Sequence, residues 1–307
     1  MNGDATRPTP PVVDNCRALS FGARAELYDR VRPSYPPQVL PLLFADFQAE
    51  RGRYRVADVG AGTGKLTAVL AAAGLVVEAV EPDPGMRAVL TARLPGIRVC
   101  AGRGEALPLP DRSVDAVVYG QAWHWVDEDA GAHEAARVLR PGGVLAMLWN
   151  SEDVAAGWVS ELERLVGSSS RSRDLTYAPA LPRFGTALVS RLSWSREQDV
   201  DALPDYAASH SAVATLPAQE RAEVLAAVRQ LTTEHPDLRG RAQVTVPMHL
   251  EYWIYHRAAD DERLIHAPPL TGLRPATVHQ PPSSPSPGPA PSPPPVQPVG
   301  LAWGSVQ

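Results

Sequence analysis

The stretch VADVGAGTGKL, residues 56–66, decides the reading of this chain. A β-rich run closes at Asp58 and Val59, Gly60, Gly62 and Gly64 then alternate, and a helical pattern opens near Lys65. Glycine has no Cβ, so such a loop turns sharply and lets a ligand come close to the backbone. In open α/β sheets ligands sit beyond the carboxyl ends of strands, where the topology switches. A Walker phosphate loop would need G-x-x-x-x-G-K-[ST]. Here Lys65 is followed by Leu66, and Val59 stands where the first glycine belongs. The dinucleotide fingerprint G-x-G-x-x-G is also missed, because the glycines fall at every second position.

Working outward, apolar runs and helical patterns alternate. Strands are expected at 54–59, 75–80, 97–100, 114–119 and 144–149, with helices at 65–73, 85–93 and 129–139 between them. Gly74, Pro95-Gly96 and the RPGG at 140–143 are the breaks. Strand and helix at this spacing suit right-handed crossovers and a parallel sheet. Further helices (154–166, 217–231) and strands (188–194, 244–255) would complete the sheet with an antiparallel edge. The expected fold is α/β: a doubly wound, mostly parallel Rossmann-like sheet. Residues 1–20 read as a flexible N-terminus and 21–257 as one domain, in which 151–257 shapes an acceptor pocket. Residues 258–307 read as a disordered Pro/Ser-rich tail, since 13 of the 32 prolines lie between Pro268 and Pro298 and such a segment cannot build a core.

An acid two residues before the first glycine is a poor neighbour for pyrophosphate and suits a ligand end carrying an ammonium group. Asp58 with Gly60, Gly62 and Gly64 resembles motif I of the class I S-adenosylmethionine (SAM)-dependent methyltransferases, acid-x-G-x-G-x-G. Glu81 ends the second strand, where a carboxylate accepts hydrogen bonds from ribose hydroxyls; that logic serves NAD as well. EPDPGM (81–86) and GRGEALPLPDRSVDAVV (102–118) resemble the following motifs of the methyltransferase type 11 family. The family more often has alanine where this chain has Gly104. Asp115 and RVLRPGG (137–143) match family positions that read as structural. The resemblance covers about residues 20–257. It implies SAM as cofactor, S-adenosylhomocysteine as product and no metal. The cofactor-binding residues it implies are Asp58, Gly60, Ala61, Gly62, Thr63, Gly64, Glu81, Pro82, Met86, Gly104, Glu105, Ala106 and Gln121. The lead-in FGARAELYDRVRPSYP (21–36) looks like that of a subgroup including trans-aconitate methyltransferase-like small-molecule enzymes, in which this segment folds over the cofactor. Tyr28, Arg32 and Tyr35 are thereby candidates to touch the cofactor carboxylate or the substrate, with helix capping and packing as the alternative.

Methyl transfer needs alignment, exclusion of water and, for a protonated acceptor, a base. Acceptor-side residues are expected after the fourth strand, in YGQAWHWVD (119–127). His124 is the candidate general base or substrate contact; the alternative is a polar residue between two packing tryptophans. Trp123 and Trp125 are read as an aromatic wall or as core packing. Trp149, ending the fifth strand, is a further candidate substrate contact.

The composition excludes other classes. A net charge of -5 and a pI near 5.9 give no basic footprint for nucleic acid. Two cysteines, Cys16 and Cys100, are too few for a disulfide scaffold, and the eight histidines fall in no zinc-type spacing. Residues 1–15 lack the apolar core of a signal peptide, and the apolar run 66–77 is too short to span a bilayer. The expected protein is cytoplasmic, with a small-molecule acceptor and neither nucleic-acid nor membrane partners. Three readings stay open: an active small-molecule methyltransferase, a SAM-binding regulator without catalysis, and an NAD-dependent oxidoreductase.

Overall fold

Apolar side chains at every second position, on both faces, build the central strands. In β5 (Leu139–Glu152), Leu145, Met147 and Trp149 pack on one side of the sheet and Val144, Ala146 and Leu148 on the other. Such two-sided burial is what a strand covered by helices on both faces requires. Full burial of each large side chain contributes roughly 1.5–3 kcal/mol. A computed structural model describes residues 25–44, 54–167 and 178–258. The loose N-terminus expected at 1–20 and the proline-rich segment beyond 258 lie outside the described residues.

Two short helices, α1 (Ala25–Val31) and α2 (Val39–Phe44), lead into the sheet. The alternating part follows: β1 (Arg55–Val59), α3 (Lys65–Ala72), β2 (Val76–Val80), α4 (Pro84–Arg93), β3 (Arg98–Cys100), β4 (Val114–Gly120), α5 (Glu128–Val138) and β5. Then come α6 (Gly157–Val166), β6 (Leu188–Asp199), α7 (Leu203–Ala208), α8 (Ser211–Ala214), α9 (Ala218–Glu234) and β7 (Gln243–His256). The sheet order is β3-β2-β1-β4-β5-β7-β6. β1 to β5 are parallel, and β7 lies antiparallel between β5 and β6. The expected mostly parallel sheet with an antiparallel edge is therefore present. The order reverses between β1 and β4, so the crevice of a doubly wound fold opens there, above Val59 and Gly120.

The helix boundaries follow local chemistry. Gly74 adopts φ 83 just past α3, and the Asp83 carboxylate caps α4 by accepting from the backbone N–H of Gly85 and Met86. The RPGG segment departs from expectation. It ends α5 but is no free turn: Leu139 already pairs with Val114, and pairing resumes at Val144 with Ala116. Arg140 to Gly143 form a bulge inside β5, with Gly142 at φ 76. β6 runs five residues past the expected end, because β7 pairs with it as far as Asp199 and Gln243. Helix α6 starts three residues late, the Asp153 carboxylate holding Ala155 N–H in a turn before it.

α2 and α3 cover one face of β1, β4 and β5, and α5 the other. A separate apolar cluster joins α6, α7, α8 and α9 to β7 and to Val31 of α1. It puts the end of α1 beside the late helices.

Candidate active site

The glycine loop is built by backbone geometry. Gly60 N–H and Ala61 N–H both donate to the Val80 carbonyl, at 2.8 and 3.2 Å, so the loop folds over the end of β2. A Cβ on Gly60 would come within 2.5 Å of the Ala122 Cβ, whereas one on Gly62 would meet nothing within 4 Å. Both have positive φ, 68 and 57. Gly60 is thus required by the fold, while Gly62 faces open space that a ligand can fill. Gly64, at φ 86, starts α3 against Leu90. Ala61 is buried, and so is Thr63, whose hydroxyl has no hydrogen-bond partner.

Asp58 stands beneath this loop and is 1% exposed. Its Oδ2 accepts a 2.6 Å hydrogen bond from the Thr67 hydroxyl, and its Oδ1 is buried with no partner. Burial pushes its pKa up to about 7, against the Thr67 hydrogen bond, and the nearby Glu81 charge adds to the rise. A buried acceptor with no donor is a place for a cationic N–H to bind. The residues present therefore fit a ligand that ends in an ammonium group.

Glu81 accepts from Gly62 N–H through Oε2 and from Asp83 N–H through Oε1, both at 2.8 Å. Burial raises its pKa, and these two backbone donors oppose the rise. Each oxygen keeps a lone pair for a ligand hydroxyl. Pro82 is half-buried and Met86 is buried. Across the crevice Gly104 is buried against Val126: a Cβ there would lie 2.8 Å from Val126 Cγ2 and 3.2 Å from the Tyr119 hydroxyl. That contact accounts for glycine where the family more often has alanine. Glu105 is half-buried and accepts from Asp127 N–H at 3.0 Å, and Ala106 is exposed.

Gln121 follows β4 at φ 57, a conformation rare outside glycine and met at functional sites. Two hydrogen bonds hold it: its N–H donates to the Leu148 carbonyl (2.8 Å) and its Nε2 to the Asn150 carbonyl (2.6 Å). Asn150 Nδ2 in turn donates to the Ser34 carbonyl at 3.0 Å. The lead-in is thereby tied to the ends of β4 and β5. Tyr35 is buried, and a Cβ on Gly120 would come within 2.6 Å of its hydroxyl. Burial first, then the neighbouring Tyr28 and Asp58, raise its pKa well above the ordinary value.

The remaining candidates divide. Trp123 is buried, edge-on to Tyr119 at 4.9 Å, and Trp149 is buried edge-on to Trp253 at 4.9 Å. Both pack in the core cluster beneath the crevice. His124 is exposed, on a short 3₁₀ turn (Trp123–Trp125), with its ring 4.9 Å from that of Trp125. Arg32 stacks between Tyr28 and Tyr206, 5.5 and 5.2 Å from their ring centroids. Sequence reasoning missed Thr67, Glu152, Arg196, Tyr206 and His210. Only Thr67 carried a local signal, one α-helical turn past the glycine loop. Among the described residues no group of three or more His, Cys, Asp or Glu side chains is arranged to hold a metal ion. No described helix is long and apolar enough to cross a membrane.

Comparison with known proteins agrees with this geometry. Residues 57–147 match the family model described as a methyltransferase domain. An uncharacterized methyltransferase of Mycobacterium tuberculosis is 43% identical over 231 residues, 75% of this chain and 92% of that protein. A malonyl-[acyl-carrier protein] O-methyltransferase of Methylococcus capsulatus is 37% identical over 134 residues, 42% of this chain and 49% of that one. A solved structure of a candidate type II methyltransferase from Anaeromyxobacter dehalogenans superposes with a TM-score of 0.53 at 24% identity, covering 74% of this chain and 97% of that chain; it bears on the fold alone.

Proposed function

The chain belongs to the class I SAM-dependent methyltransferases, and from that premise we propose that it methylates a small-molecule acceptor held over the carboxyl ends of β4 and β5. The unpartnered Asp58 Oδ1 beneath the open side of Gly62 carries this reading. Asp58 takes the cofactor ammonium, as a charge-assisted hydrogen bond in a site closed to water. The free lone pairs of Glu81 take the ribose hydroxyls, and Pro82, Met86, Gly104, Glu105 and Ala106 border the adenosine. Gln121 and Tyr35 border the methionine part.

When bound, SAM supplies an activated methyl group for in-line displacement. The chain's own work is alignment, on the order of 7–11 kcal/mol where fully realised. The positive-φ backbone of Gln121, fixed by Leu148 and Asn150, sets one wall of the path. The Ser34–Asn150 link keeps the lead-in over the crevice and excludes water. His124 is the base where the acceptor is protonated: its exposed ring passes a proton to solvent. An acid at Asp58 and the glycine spacing both disfavour a dinucleotide.

The test is calorimetric titration of the full chain with SAM and S-adenosylhomocysteine, then transfer of labelled methyl to a panel of carboxylates, phenols and amines. Micromolar binding and turnover are expected. Binding without any turnover would favour a regulatory SAM-binding protein, and tight binding of NAD instead would overturn the reading.

A further inference from the structure

The lead-in, residues 25–35, is anchored on both banks of the crevice. On the glycine-loop bank the contact is made by Asp29 of α1. One oxygen of its carboxylate takes Arg93 of α4, and Lys65, the first residue of α3, has its Nζ 3.8 Å from that same oxygen and donates to the Asp29 carbonyl as well. Arg93 Nη1 also donates to the Thr63 carbonyl at 3.0 Å, so one guanidinium holds both the lead-in and the glycine loop. On the far bank, Val31 is buried among the apolar residues of α6 to α9 and Leu27 packs against them. Arg32 donates to the Ser209 carbonyl at 3.2 Å and Asn150 Nδ2 to the Ser34 carbonyl at 3.0 Å. Tyr35 then lies buried against Gly120, near enough to Asp58 for that carboxylate to raise its pKa.

Something in this arrangement must yield when a ligand passes. Asp58 is 1% exposed, and a cofactor ammonium has to reach its buried Oδ1 from solvent. The two banks resist parting for different reasons. Lifting the far bank exposes Val31 and Leu27 to water, and water gives nothing back for apolar surface. Among the described residues no buried apolar cluster joins α1 to α3 or α4. The near bank is held by charge, and the side chains of Asp29, Lys65 and Arg93 are 19%, 18% and 34% exposed, so entering water solvates the ions as they separate. The near bank therefore gives way first. Asp29 is what keeps it shut. Burial lowers the Lys65 pKa, Arg93 and Arg196 lower it further, and Asp29 opposes them. Without the Asp29 charge, only like charges face one another there.

We propose that Asp29, with Lys65 and Arg93, is the clasp of a strap that lifts for the cofactor to enter and leave, and that this clasp sets the rate of cofactor exchange rather than the affinity. This rests on the methyltransferase reading above. The clasp meets the glycine loop at the Thr63 carbonyl, on the backbone, and is made alike with and without cofactor. Its contribution cancels from the dissociation constant. It is lost only in the open form through which the cofactor passes, so it stands in the barrier for both directions.

The test is surface plasmon resonance on the immobilised full chain, with S-adenosylhomocysteine as the analyte. Asp29→Asn is expected to raise the association and dissociation rates together, about fivefold to twentyfold, with Kd within about threefold of the parent. Asp29→Glu, which keeps the charge, is expected to slow both again. Raising salt from about 0.05 to 0.5 M is expected to speed exchange in the parent and to leave Asp29→Asn unmoved. Asp205→Asn removes the exposed 2.8 Å pair that Arg30 of the same helix makes on the far bank, and its rates are expected to stay within about twofold. Unchanged rates in Asp29→Asn overturn the clasp. A loss of affinity with association no faster overturns it too, and leaves Asp29 as a support of the glycine loop. Exchange as fast in Asp205→Asn as in Asp29→Asn overturns the choice of bank. Should Asp29→Asn not fold, the parent decides: exchange insensitive to salt overturns the proposal. If S-adenosylhomocysteine does not bind the parent at all, the methyltransferase reading fails first.

Discussion

The Thr67 hydroxyl satisfies one oxygen of the Asp58 carboxylate at 2.6 Å and leaves the other buried and empty-handed. One oxygen positions the group and the other is open to a further donor. Asp58→Asn preserves the Thr67 contact and removes the charge. Affinity for S-adenosylhomocysteine is expected to fall about tenfold to hundredfold, the worth of a hydrogen bond to a charged group, with the fold intact. Calorimetry beside circular dichroism checks both halves. Unchanged affinity would remove Asp58 from the site.

The same carboxyl predicts a pH dependence. With its pKa near 7, Asp58 is largely protonated below that pH, and ammonium binding must expel the proton. Affinity is expected to tighten about tenfold per unit as pH rises toward 7 and to level off above it. Asp58→Asn flattens the profile. Stability runs the other way. A folded pKa raised from 3.8 to about 7 means the folded chain holds a proton that the unfolded chain has released. The ligand-free protein therefore loses stability as pH rises through that window, and Asp58→Asn is expected to melt higher than the parent at pH 8.

Gly60 and Gly62 separate structural from functional need. Gly60→Ala drives a Cβ to 2.5 Å from Ala122 and is expected to cost about 2–4 kcal/mol, combining left-handed strain with overpacking. Gly62→Ala meets no protein atom and is expected to cost only about 1 kcal/mol while greatly weakening cofactor binding. Melting curves and titrations of the two variants together settle the matter. Equal cofactor affinity in Gly62→Ala and the parent would place the ligand elsewhere.

Gly104 and Val126 form a reciprocal pair. Gly104→Ala is expected to destabilise by about 1–3 kcal/mol through the 2.8 Å contact with Val126. Adding Val126→Ala is expected to recover part of that loss in a double-mutant cycle. Strict additivity would show that the two positions do not touch.

His124→Ala is expected to lower methyl transfer about a hundredfold or more on a protonated acceptor, with cofactor affinity unchanged. Unaltered turnover would leave the ring as part of the turn that seats Trp123.

The elements that carry the proposed cofactor residues were legible in the sequence, because they are local. Asp58, Glu81 and Gln121 sit at or just past strand ends beside one glycine loop, while Met86 lies in α4 and Gly104 to Ala106 in the loop before β4. The five parallel strands were legible for the same reason. β5 was underestimated because a bulge hides inside RPGG, which looks like a turn until Leu139 is seen paired with Val114. Helices α7 and α8 are too short to show a period. Arg196 and His210 carry no local signal. In sequence Arg196 is one of the alternating polar residues of an edge strand, and only packing against Tyr206 sets it apart.

Arg32 reaches a carbonyl 177 residues further along the chain. That long closure divides the protein by its history as much as by its chemistry. The strands β1 to β4 find their partners among near neighbours in sequence, whereas the contacts around Tyr206 form only when the end of α1, β5, β6 and α7 have met. A change in α7 or its exit is therefore felt at the lead-in, and through Ser34 and Asn150 at the end of β5.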